Sequence, residues 1–84
     1  MKPVLSQQSV AANFSHVLLF KTNIQTVEDK NYIKYVFDNH YEIERWHIDL
    51  EDCDCVLKII SSRLNVADII ELLNLYGFSC EELI

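Results

Sequence analysis

Glycine and proline are nearly missing from this chain, with one of each in 84 residues. So little of either excludes a loop-built or disordered protein. A single glycine also excludes a glycine-rich phosphate loop. Basic residues are few, seven Lys and Arg against thirteen Asp and Glu, for a formal charge of −6. Phosphate contacts need Lys and Arg, so non-specific nucleic-acid binding is excluded, and docking on an anionic membrane is disfavoured. Long apolar runs are missing too. The longest, Val17 to Phe20, falls far short of a membrane span, and no apolar segment follows Met1-Lys2. A cytoplasmic location is therefore expected. Three cysteines, Cys53, Cys55 and Cys80, are an odd number, which suits a reduced compartment better than a disulfide scaffold.

What remains is a chain half hydrophobic, with nine aromatics. That is enough for one packed domain, which at this length buries roughly 60–65% of its unfolded surface. Residues 1–14 are polar and without period, and are expected to form a flexible N-terminal arm; residues 15–84 form the domain. His16 to Thr22 is short, apolar and ends in polar residues, which predicts a strand. Thr26-Val27-Glu28-Asp29 resembles a capping box, and Val27, Ile33, Val36 and Phe37 follow at helical spacing, so a helix is predicted over Val27 to Asp38. Ile43 to Leu50 alternates from Trp46 onward as a half-buried strand. Glu51 to Asp54 is a turn, and Cys55 to Ser61 a third strand, paired as a hairpin with the second. Asn65 caps a second helix, with Asp68 in its first turn and an inner stripe of Val66, Ile69, Leu72, Leu73 and Tyr76. Gly77 stops it, and Phe78 to Leu83 is the last strand.

The order β-α-β-β-α-β predicts an α+β, ferredoxin-like sandwich. A four-stranded antiparallel sheet of order 4-1-3-2 follows from right-handed crossovers, with both helices on one face. This plan gathers three loops at one tip: Ile24 to Asp29, Glu51 to Cys55 and Gly77 to Glu82. All three cysteines lie there, with Glu51, Asp52, Asp54, Glu81 and Glu82. Strand spacing of about 4.8 Å puts Cys80 roughly 10–14 Å from the other two, beyond the ~7 Å that a disulfide allows. Cys53-Asp54-Cys55 alone is either a weak chelate for a soft metal or a turn residue followed by a small buried hydrophobe.

Alternation points Leu18, Phe20, Trp46, Ile48, Leu57 and Ile59 to the helices. Val17, Leu19, Lys21, Arg45, His47, Val56, Lys58 and Ile60 then line the open face. That face has no aromatics for stacking on RNA bases. Its aliphatics fit either a protein contact, with a second copy or the N-terminal arm, or an ordinary half-wet sheet surface. His16, His40 and His47 lack metal-ligand spacing, and Tyr32 and Tyr35 are expected to pack. No nucleophile with a base can be assembled, so an enzyme is not expected.

Phe20-Lys21-Thr22-Asn23-Ile24, Ile43, Trp46-His47-Ile48-Asp49-Leu50, Val56-Leu57-Lys58-Ile59 and Gly77-Phe78 together resemble the heavy-metal-associated domain. That module serves as copper chaperone and as the N-terminal arm of heavy-metal-pumping ATPases. The chain is also similar to small bacterial proteins that share a Trp-x-(Ile/Val)-Asp-Leu-Glu-Asp-Cys-Asp segment. The resemblance implies a ferredoxin-like fold and, in the family, soft-metal binding through Met-x-Cys-x-x-Cys after the first strand. With Ile24 in the Met position, those cysteines fall on Thr26 and Asp29, which carry no thiol. The ligands have been exchanged for a helix-start signal. The expectation is a small non-catalytic binding or regulatory module without the family's metal site. It has no assigned catalytic, cofactor or metal residues, and its partner is a protein or a second copy. The alternative is a copper or zinc carrier using a relocated site: Cys53 and Cys55, or Cys80 with nearby acids.

Overall fold

Both helices start where side chains replace missing backbone partners. The computed structural model describes residues 15–83; the arm expected over 1–14 lies outside them. Helix α1 runs Val27–Asp38, and Thr26 Oγ1 accepts the Asp29 N–H at 3.0 Å. Asp29 reaches back to the N–H of Gln25 rather than that of Thr26, so the box is closed one residue early. Helix α2 runs Val66–Leu75 with a complete capping box between Asn65 and Asp68. It ends as expected. Gly77 has φ +89°, its N–H donates to Asn74, and the Phe78 N–H donates to Leu73. That is a Schellman stop, which needs the left-handed conformation only glycine adopts at no steric cost.

The strands are β1 (His16–Thr22), β2 (Arg45–Ile48), β3 (Leu57–Ser61) and β4 (Cys80–Glu82). All pairings are antiparallel, in the order β2-β3-β1-β4, which counted from the opposite edge reads 4-1-3-2. The fold is thus α+β, two helices with a four-stranded antiparallel sheet. Three strands are shorter than their patterns predict. Strand β3 starts at Leu57 because Cys55 has φ +46°, which no extended strand residue adopts. Strand β4 starts at Cys80 because the N–H groups of Phe78 and Ser79 bond to Leu73 and to the Asn23 side chain.

Register fixes the faces. Leu18 and Trp46 both oppose Ile59, and Phe20 and Ile48 both oppose Leu57. These side chains meet Ile33 and Phe37 of α1 and Ile69 and Leu73 of α2 in one core. Both helices therefore cover the same sheet face. Phe20, Leu57, Ile59, Ile33, Ile69 and Leu73 are fully buried. Each such side chain contributes roughly 1.5–3 kcal/mol. Ile24, just before α1, is also fully buried, whereas Val27, placed by spacing on the inner stripe, is 62% exposed. The core extends into the loop and not to the first helical residue.

Edge strand β2 is tied to α1 by its tryptophan. Trp46 packs edge-on against Phe37, with centroids 5.5 Å apart, and its Nε1–H donates to Asp38 Oδ1 at 2.8 Å. Asp38 also accepts from Lys34 at 2.7 Å, and these two bonds hold its carboxyl below the ordinary carboxylate range. At the far end of β3, the buried Ser61 Oγ donates to the Glu42 carbonyl and accepts from Arg63 and Leu64. This pins the loop after α1 to the sheet.

Candidate functional site

The three loops expected at one tip do converge there, and Thr22 is their junction. Its N–H donates to the Asp54 carbonyl at 3.1 Å and its Oγ1 to the Cys55 carbonyl at 2.7 Å. The same oxygen accepts from Ile24 N–H at 3.2 Å, while Asn23 exchanges bonds with Ser79. The tip is a hydrogen-bonded knot in which backbone groups engage the side chains of Thr22, Asn23, Thr26, Asp29 and Asp52.

The cysteines are all free thiols, and they part company at this knot. Cys53 is exposed at the apex of the turn. Cys55 is buried, because its left-handed backbone turns the side chain inward while its N–H closes the turn onto Asp52. It is a small hydrophobe, as one reading of the sequence had it, but in the turn and not in a strand. Cys80 opposes Thr22 across β1–β4 and packs at the core's edge. Burial pushes its thiol up to about 11, so it stays protonated at neutral pH. Strand β1 stands between Cys55 and Cys80.

Metal-ligating groups fall differently from the expected Cys53–Cys55 pair. Among the described residues, Asp52, Cys53 and Asp54 bring three ligand atoms within 4.8 Å of one another. Two of them have other partners: Asp52 Oδ1 accepts the Asp54 N–H at 2.8 Å, and Asp54 Oδ1 lies 3.7 Å from Lys21 Nζ. The Cys55 sulfur is not in the group. The loop after β1 does not fit a soft metal either. Thr26 and Asp29 are oxygen donors engaged in capping α1.

The open sheet face is built as its alternation implies. Val17 opposes Ile60, Leu19 opposes Lys58, Arg45 opposes Ile60 and His47 opposes Lys58. Val17 is 60% exposed, with Leu19 and Leu83 both exposed, and neither helix covers them. Lys21 opposes Glu81 on the same face.

One feature escaped the pattern. Tyr32 packs on Phe78 and Tyr76 as expected yet stays half exposed, and Tyr35 is exposed outright. With Tyr41 and Tyr76 they line a groove of about 390 Å³ between the helices. All four tyrosines of the chain are thus in one place. The signal was present at Tyr32 and Tyr35, off the Ile33–Phe37 stripe, but Tyr41 and Tyr76 come from other elements.

No family model, curated protein or solved structure matches this chain. Among the described residues no helix is long and apolar enough to cross a membrane.

Proposed function

We propose that the chain is a small non-catalytic binding module of ferredoxin-like plan. It is built on a heavy-metal-associated-type scaffold whose thiol pair has been replaced by a helix cap. Its contact surface is the open sheet face, and its partner is a protein surface, first of all a second copy of itself. One observation carries this reading: Val17, Leu19 and Leu83 stand exposed on a sheet face without a helix, bordered by Lys58, Arg45 and Lys21. An aliphatic strip rimmed by charge is the usual composition of a protein contact. Light scattering after size exclusion, at two concentrations, tests it. Association that grows with concentration and is lost in Val17→Asp/Leu19→Asp is expected. A strict monomer at high concentration that also captures no protein would unseat it.

A metal-carrier reading has one observation in its favour, the Asp52-Cys53-Asp54 group. One exposed thiol with two hard carboxylates suits zinc better than Cu(I). It ranks second because Lys21 already faces Asp54 and no second thiolate reaches the group. Anaerobic zinc titration separates the two: stoichiometric binding lost in Cys53→Ser would favour the carrier.

A further inference from the structure

We propose that the groove between α1 and α2 is a second docking surface, which takes an arginine-bearing segment of a partner protein. It lies on the opposite side of the molecule from the open sheet face and does not depend on that reading. Rings from four tyrosines line it, and two stand nearly at right angles: Tyr32 and Tyr76 have centroids 5.9 Å apart at 73°. Two rings so placed form a corner, and a cation in the corner meets at least one negative ring face. Among the described residues no Lys or Arg lines this compartment. None of the four hydroxyls bonds to a described residue, so each is open to accept from a guanidinium.

The groove continues past His40 and Leu72 into a wider compartment of about 840 Å³. There, among the described residues, Glu42, Glu71 and Asp68, the last also accepting the Asn65 N–H, stand with one guanidinium, Arg63, and His40. Aromatic faces followed by carboxylates match a segment carrying more than one cation. A small ammonium compound would use only the first compartment. Arginine is preferred to lysine because its planar head stacks on rings and is less strongly hydrated.

The floor is pre-organised, which keeps the ordering cost of binding low. Between the compartments, Asn39 Nδ2 donates to the Tyr35 carbonyl at 2.7 Å and Ile43 N–H to the His40 carbonyl at 3.0 Å. The Ser61 hydroxyl holds the Glu42 carbonyl at 2.7 Å. His40 Nδ1 accepts the Glu42 N–H at 3.2 Å, and its ring stacks under Tyr41, which is otherwise 91% exposed.

The test uses the full chain, labelled with nitrogen-15, titrated at physiological salt with capped hexa-arginine and, as control, hexa-glutamate. Saturable shifts centred on Tyr35, His40, Tyr41 and Leu72, with none from hexa-glutamate, are expected. Tyr35→Ala and Tyr41→Ala should each weaken binding about 2–5-fold, the size of an exposed cation–π contact. Tyr41→Phe, which keeps the ring, should bind nearly as the parent does. Glu71→Gln should weaken binding, and more so at low salt. Shifts centred on Glu51 to Asp54 or on the open sheet face would overturn the proposal. So would alanine variants that bind like the parent, or groove shifts that follow protein concentration without peptide. Spectra of the alanine variants alone verify that they fold.

Discussion

The tip at Thr22 and the groove at Tyr41 each gather polar side chains, and they treat those side chains in opposite ways. At the tip, three thiols and several carboxylates and hydroxyls are drawn together, and the fold engages part of them. Thr22 bridges two loops, Cys55 fills the core and Asp54 faces Lys21. In the groove, four amphipathic rings from α1, the loop after it and the end of α2 are left outside, beside a loop held by bonds at Asn39, His40, Glu42 and Ile43. Residue chemistry alone points to the tip and not to the groove. What differs is whether backbone groups already bond to the side chains. Where loops meet, unpaired N–H and C=O groups must find partners and take whatever polar atoms are nearby. Along a helix the backbone is satisfied internally, and the outward side chains stay free for a partner.

The strongest way to break this contrast is Cys55→Val. A β-branched residue at φ +46° is a steric outlier, so the substitution should cost about 2 kcal/mol in urea unfolding. If Cys55 began a strand, valine would be neutral there. Thr22→Val keeps the shape and removes the bridging hydroxyl. It leaves the Cys55 carbonyl and the Ile24 N–H without their partner and should cost about 1–2 kcal/mol. A neutral result would mean that the tip is not a knot. Alkylation by iodoacetamide near neutral pH, read by peptide mass spectrometry, sharpens the picture of the cysteines. Cys53 should react fast and Cys55 slowly because it is buried, while Cys80 should be held back by its raised thiol. Equal rates would show the tip open. The smallest effect belongs to the groove. Tyr35→Ala and Tyr41→Ala should each change stability by no more than about 0.5 kcal/mol, since both rings are mostly exposed. A larger loss would mean the rings support the fold.

Periodicity and end signals were enough to read both helices, the first strand and the core-facing side of the sheet. Those features rest on local rules: apolar spacing, Thr26 and Asn65 as caps, Gly77 as a stop. The ends of β2, β3 and β4 were not legible, because a strand lasts only while its neighbour offers partners. Ser79 bonds to Asn23 and so cannot join β4 earlier. Cys55 looked like a strand residue beside Val56 and Leu57, and only its left-handed backbone says otherwise. The tip was foreseen as a place, but among the described residues the ligand atoms that come together there belong to Asp52, Cys53 and Asp54 and not to Cys53 with Cys55. The groove was missed because its tyrosines come from α1, the loop after it and the end of α2.

The sequence by itself determined the order of elements, the single core, the acidic balance and the lack of thiols at Thr26 and Asp29. All of these depend on residues near one another along the chain or on composition. Tertiary structure alone decided which thiol faces solvent, which carboxylates share a turn with it, and that every tyrosine would meet in one groove. The physical reason is that exposure and juxtaposition depend on how separate elements pack, and no periodicity within one element records what its outer face will find beside it.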